Sequence, residues 1–312
     1  MPSAPTKSWM PAYLAIVLVW GLSFLFASRS LSSFTPIGVA FGRSALGAST
    51  LILVCLVSRT RLPPRALWPR LAIYALLIAV GPAFLLGIAV SHTTTSLAAI
   101  AGSTVAIWVL LVNLLFFPEQ RPSASRVAGI FLGFLGILIV IGVWNGVGSG
   151  TAIGVGAQLG GAILYAFSLP YAHRYLTGGP TAASVSPIAL SAAMLVLATI
   201  EILPLVLIFG GTHGPLVTSA VFGMLAMGLL NGGLITVLVL YLVKRTDSTT
   251  VSTAVYLTPV VATAAGIAFL GETMSWYEPV GACVVLAGAA LAQGVLGERQ
   301  QRAQRAQRAD AG

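Results

Sequence analysis

Apolar residues run in blocks of about 20, the length at which a helix rising 1.5 Å per residue crosses a hydrocarbon core of about 30 Å. In the first half the breaks between blocks are polar, basic or proline-rich, at Arg29 to Pro36, Arg59 to Arg70, Ser91 to Thr95 and Pro118 to Ser125. The pattern predicts helices over residues 11–30, 36–57, 71–90, 94–117 and 125–143. After a glycine-rich break from Asn145 to Gly154, five more follow, over 153–173, 187–209, 217–242, 249–270 and 277–296. Residues 1–10 become a leading segment, 144–152 a linker on the outer side and 297–312 a basic tail. The lead contains Lys7 and looks like the start of a signal peptide, but the first block belongs to an internal repeat and is expected to be retained. The expected fold class is an all-α polytopic membrane protein.

Composition agrees with the pattern. Of 312 residues, 57% are hydrophobic and 7% charged, with a mean hydropathy of +0.97, too few polar groups to cover a globule in water. A soluble enzyme is excluded. The net charge of +9 has a topological reading, because Lys and Arg resist translocation. With the N-terminus cytoplasmic, fourteen basic residues from Lys7 to Arg308 fall on inner segments, Arg29 falls outside and Arg43 lies within a helix. Both termini are therefore expected in the cytoplasm, and nucleic acid is not an expected partner. The tail from Arg299 to Arg308 is either solvated or in contact with anionic lipid. Cys55 and Cys283 lie in apolar runs without metal-ligand spacing, so neither a metal nor another cofactor is expected.

The chain repeats itself. Thr93 to Glu119 lies without gaps on Thr246 to Glu272, pairing Ser96 with Thr249, Ala99 with Ser252, Ser103 with Tyr256 and Glu119 with Glu272. Beyond the next loop, Gly129, Gly136 and Gly142 pair with Gly281, Gly288 and Gly294. Earlier, Trp20 to Arg29 lies on Tyr165 to Arg174, keeping Ser23 with Ser168. Five helices per unit is an odd number, so the second unit would cross the membrane in the opposite sense. Ten transmembrane helices arranged as two inverted five-helix repeats are the expected architecture, and such repeats hold substrate near the midplane between the halves.

Several short motifs point the same way: Trp20-Gly21-Leu22-Ser23-Phe24, Arg43, Thr258-Pro259-Val260 and Gly271-Glu272. Over about residues 11 to 296 the chain resembles a bacterial EamA-type transporter of the drug/metabolite transporter superfamily. The resemblance implies a central cavity, an inner-membrane location and export of amino acids or other small metabolites. One departure stands out, since Pro259 of the second half is matched by Ala106 in the first. A bend at Pro259 in the ninth helix has no matching cause in the fourth.

The candidate site residues follow from polar and aromatic side chains inside apolar runs. Trp20, Trp108 and Tyr165 either line a cavity or belong to an interfacial aromatic belt. Asn231 contacts substrate or bonds a neighbouring helix. Ser23, Ser103 and Tyr256 are further candidate substrate contacts, with close packing as the alternative for the small hydroxyls. Gly81-Pro82 and Gly232-Gly233 interrupt the third and eighth helices at corresponding places and, with Pro259, are candidate hinges. Arg43 and Glu201 lie at matching depths of about 10 and 12 Å from the outer end. They are expected either to meet or share a polar cluster, or to snorkel outward. Glycines on helices five and ten serve packing and offer a seam for a homodimer.

The leading functional expectation is a secondary transporter moving a small organic metabolite, neutral or zwitterionic and amphipathic, by alternating access. A membrane-embedded enzyme or a lipid-directed flippase is the alternative. An enzyme would need paired acids, a Ser/His set or a metal cluster, and none is visible: His92, His173 and His213 are isolated at helix ends. No phosphate-binding loop accompanies Lys7 or Lys244, which excludes ATP hydrolysis by this chain itself.

Overall fold

The computed structural model of the chain describes residues 10–116, 124–142, 144, 149–172, 175–176, 185–245 and 248–292. Helix α1 (Met10–Ser30) is followed by α2 (Pro36–Val57), whose start is set locally: the Thr35 hydroxyl accepts from the Gly38 amide at 3.0 Å and Pro36 needs no partner for an N–H. The third block is one long element made of a 3-10 turn (Arg65–Leu67), α3 (Trp68–Ala75), a π-helical turn (Leu76–Val80) and α4 (Gly81–His92). Pro82 lacks the N–H of a regular helix, and the widened turn sits immediately before it.

The fourth block divides into α5 (Thr95–Gly102) and α6 (Val105–Phe116). At the break the Ser103 hydroxyl donates to the Ile100 carbonyl at 2.7 Å and that of Thr104 to the Ala101 carbonyl at 2.6 Å, competing with the helical ladder. Then come α7 (Ala124–Ile141), α8 (Ser149–Ala172) and α9 (Pro187–Phe209). The eighth block is α10 (Thr218–Ala226), a second π-helical segment (Met227–Leu234) and α11 (Ile235–Arg245). Helix α12 (Ser248–Ala265) runs straight through Pro259 and ends in a third π turn (Gly266–Leu270), followed by α13 (Tyr277–Ala292). The helix is thus interrupted in the other copy, at Ser103 and Thr104, while α12 is continuous across Pro259.

Six helices among the described residues are long and apolar enough to cross a membrane: Met10–Ser30, Pro36–Val57, Arg65–His92, Gly150–Ser168, Pro187–Phe209 and Thr218–Val239. Four shorter apolar helices accompany them, Thr95–Val109, Val127–Val140, Leu257–Leu270 and Tyr277–Gly288. Large apolar side chains such as Leu56, Val57, Phe131, Leu207, Ile208 and Phe222 are exposed on the outer faces, where lipid is the compatible solvent.

The segments following α1, α4, α9 and α12, together with Trp144 after α7, gather at one end of the bundle. Thr35 N–H donates to the Gly211 carbonyl and His213 N–H to that of Ser33, both at 3.1 Å, around a single bridge between Phe34 and Thr212. The Arg29 guanidinium donates to the Phe269 carbonyl, and Trp144 meets Trp276 and Tyr277. Ser33 is fully buried, donates to the Pro215 carbonyl at 2.7 Å and accepts from the Val217 amide at 3.1 Å. Ser33→Ala leaves both partners unsatisfied and is expected to destabilise the fold by about 1–3 kcal/mol, read as a lowered thermal midpoint in detergent.

Helix α1 packs on the eighth block and on α12, while α8 packs on α4 and on α5 and α6; α2 lies against α9, and α7 against α13. The last contact is made through backbone. A Cβ at Gly288 would stand 2.4 Å from the Gly133 nitrogen, and one at Gly281 2.6 Å from the Val140 nitrogen. The glycine faces considered as a homodimer seam are therefore occupied within the chain.

Candidate functional site

Glycines bring α2 and the second π segment into backbone contact. A Cβ at Gly232 would lie 2.5 Å from the Arg43 carbonyl oxygen, and one at Gly47 2.9 Å from the Gly232 carbonyl carbon. This approach sets Asn231 beside Arg43, whose Nε donates to Asn231 Oδ1 at 2.8 Å. Nη1 of Arg43 donates to the Ala79 carbonyl at 3.3 Å, and Ala79 belongs to the first π turn. The two widened turns, in the third and eighth blocks, thus converge on one guanidinium. π turns expose backbone and redirect side chains, and they recur at functional sites.

Helix α8 contributes Tyr165, near enough to Arg43 for the two to interact electrostatically, and Tyr165 in turn interacts with Tyr74 of α3. Asn231 is buried, whereas Arg43, Tyr74 and Tyr165 keep intermediate exposure. The cluster draws on α2 and the third block from one half of the chain and on α8 and the eighth block from the other.

The pairing expected between Arg43 and Glu201 does not form. Arg43 turns to Asn231 and Ala79, while Glu201 Oε2 is buried without a hydrogen-bond partner among the described residues. Matching depth fixes the level of two residues in a bundle but not the face of the helix on which each lies.

Trp20 is half-buried and packs against the cluster formed by Ile16, Val17, Ile235, Leu242 and Ala254. Ser23 and Ser103 are buried, and their hydroxyls donate to the carbonyls of Trp20 and Ile100, three residues back. Ser168 makes the same bond to Tyr165, so the matched positions of the two copies share their local geometry. Trp108 stands edge-on to Phe134 at 5.4 Å, with its indole N–H buried and unpartnered among the described residues. Gly81 and Pro82 adjoin α8, at Leu164 and Gly161, and Gly233 faces Thr50. Pro259 is buried inside α12. The Tyr256 side chain lies outside the described residues, as do Lys7, Glu119, Arg121, Arg174 and the basic tail.

Sequence reasoning missed Tyr74, an aromatic hydroxyl in the third apolar run that carried no flanking signal. It also missed the partners of Glu272, which accepts from the Thr95 amide at 2.7 Å and hydroxyl at 3.0 Å, and from the Ser96 hydroxyl at 3.0 Å and amide at 3.4 Å. The carboxylate thus seals the start of α5. Finding that contact requires knowing that the end of one copy meets the beginning of a helix in the other.

No group of three or more His, Cys, Asp or Glu capable of holding a metal stands among the described residues. What the site offers is hydrogen-bond donors, a fixed cation and aromatic rings, which is binding chemistry.

The sequence has relatives over nearly its full length. An uncharacterized transporter of Archaeoglobus fulgidus is 26% identical over 292 residues, covering 88% of this chain and 93% of that protein. The uncharacterized inner membrane transporter YedA of Escherichia coli K12 is 27% identical over 288 residues, 90% of this chain and 89% of YedA. A solved crystal structure superposes with a TM-score of 0.65 at 19% identity, over 93% of this chain and 99% of its own, which is a likeness of fold alone. The EamA-like transporter family matches twice, at residues 7–142 and 152–293. With two copies of that domain accounting for most of the chain, the chain belongs to the EamA-like transporter family.

Proposed function

We propose that the chain is a secondary transporter that moves a small organic metabolite, an amino acid or a related compound, out of the cell across the bacterial inner membrane. Ten helices cross the membrane as two inverted five-helix repeats, 11–143 and 153–296, with both termini cytoplasmic. The observation that carries this reading is the junction of the two π turns at Arg43, because it builds one polar site from both halves. Two further features support it. The packing of α1 on the eighth block and α12 mirrors that of α8 on α4 and the fourth block, as an exchange of halves requires. Loops after alternate blocks share one end of the bundle, in keeping with alternating crossings. Alternating access follows when the halves exchange conformations around the site. Gly81-Pro82 and Gly232-Gly233 are the hinges, since each pair lies at or beside a π turn.

The test is mass spectrometry of the medium from cells loaded with a metabolite and dipeptide panel, comparing wild type, Asn231→Leu and empty vector. Asn231→Leu removes the acceptor for Arg43 Nε, and at least a ten-fold loss of the exported compound is expected, on the order of one lost charged hydrogen bond. Identical profiles from all three strains, with membrane expression verified, would turn the reading toward uptake or a lipid-directed role.

A further inference from the structure

The Arg43 guanidinium carries a fixed charge inside the bundle, and its partners are neutral: an amide oxygen and a backbone carbonyl. An arginine has five N–H donors. Asn231 and Ala79 use two, and the other three have no acceptor among the described residues. An intramembrane cation is costly, and neutral acceptors offset only part of that cost. The described carboxylates do not supply the balance. Glu272 is bound to Thr95 and Ser96, Glu278 accepts from the Ser275 amide, and Glu201 does not reach the arginine.

We propose that Arg43 is the anchor for the carboxylate of an organic anion with an aromatic or otherwise apolar body. With Nε fixed by Asn231, the donors left over belong to Nη1 and Nη2, the end of the fork that takes a carboxylate through two parallel hydrogen bonds. Asn231 and Ala79 act as positioning groups that hold the fork in place. Tyr165 interacts with the cation and Tyr74 with Tyr165, so aromatic side chains lie on one side of the site, which suits an apolar body beside an acid group. The same cluster contains no described acid to receive an ammonium. A simple amino acid would bring its α-ammonium to a site that is already positive, so the site prefers an acid whose nitrogen is absent or acylated. This narrows the substrate class of the transporter reading and rests on it for its biological sense.

The experiment is binding to the purified full-length chain in detergent, followed by intrinsic tryptophan fluorescence and thermal shift. The probes are 3-phenylpropanoate, its amide, N-acetyl-L-phenylalanine, L-phenylalanine and L-phenylalaninamide. In the wild type both acids are expected to bind at least about ten-fold more tightly than their uncharged or cationic counterparts, with L-phenylalanine between them. Arg43→Gln is expected to bring acid and amide within about two-fold of each other, a difference small against one charged hydrogen bond. Asn231→Asp is the second variant. It keeps the side-chain shape, gives the guanidinium an internal counter-ion and is expected to lose the acids while remaining folded. Equal binding of acid and amide by the wild type, binding of no acid, or an acid preference that survives both variants overturns the proposal. Its failure is distinct from failure of the transport reading. Acid preference without passage across proteoliposomes refutes transport and leaves the anchor standing, whereas transport without acid preference does the reverse.

Discussion

Glu272→Ala is expected to produce one of the largest single losses of stability in this molecule, about 2–4 kcal/mol, by removing the charged acceptor of the Thr95 and Ser96 donors. Every amide of the first turn of α5 has a partner: Thr95 and Ser96 donate to the Glu272 carboxylate, Leu97 to the Thr94 hydroxyl and Ala98 to the Thr94 carbonyl. Thr95 and Ser96 are each 2% exposed and Glu272 is half-buried, so water replaces the carboxylate only in part. The negative charge also faces the positive end of the helix dipole. Gly271 makes the geometry possible, turning the chain back at a φ of 67°. Glu272→Gln keeps one acceptor oxygen and is expected to lose roughly half as much. Thermal unfolding in detergent measures the loss, and hydrogen exchange locates it, with faster exchange at the amides of Thr95 and Ser96 for the alanine variant. Unchanged exchange there would remove Glu272 from the role of cap.

Gly288→Leu is expected to prevent stable folding. The side chain would begin 2.4 Å from the Gly133 nitrogen, 2.7 Å from its Cα and 2.8 Å from the Gly129 oxygen, all of them backbone that moves only if α7 and α13 separate. Overpacking a yielding core costs about 1–3 kcal/mol, and a backbone-to-backbone seam yields less than a core does. The internal contrast is Gly156, where an added Cβ meets nothing within 4 Å. Gly156→Ala is expected to be neutral or to stabilise α8 by about 0.5–1 kcal/mol through helix propensity. Size-exclusion profiles and thermal midpoints of the two variants read the difference. A monodisperse, stable Gly288→Leu protein would show that the seam between α7 and α13 is looser than these distances require.

The helices were legible in the sequence because lipid imposes a length and a polarity on each. The starts at Pro36 and Pro187 and the restart at Tyr277 coincide with the apolar pattern, and at Pro36 the Thr-Pro pair supplies both cap and stop. The π turns and the break at Ser103 and Thr104 were not legible, since the hydrogen-bond register inside a helix depends on what its neighbour presents. At the site, Arg43, Asn231 and Tyr165 each stood out as polar or aromatic groups in apolar runs. Their meeting did not, because depth along a helix is countable and azimuth is not. The same gap led from Arg43 to Glu201 rather than to Asn231. Glu272 carried a sequence match to Glu119, yet its partners lie in the opposite copy, where a comparison within each copy does not look.

In the proposed transporter, one solute site shared by the two halves carries molecules across the membrane. Transport into proteoliposomes containing only the purified chain tests it most directly, with the metabolite panel outside and wild type, Asn231→Leu and protein-free vesicles in parallel. Saturable entry of at least one compound with the wild type, reduced about ten-fold or more by Asn231→Leu, is the predicted result. Entry of every compound at the protein-free rate, from chains shown to be folded and inserted, would contradict the claim.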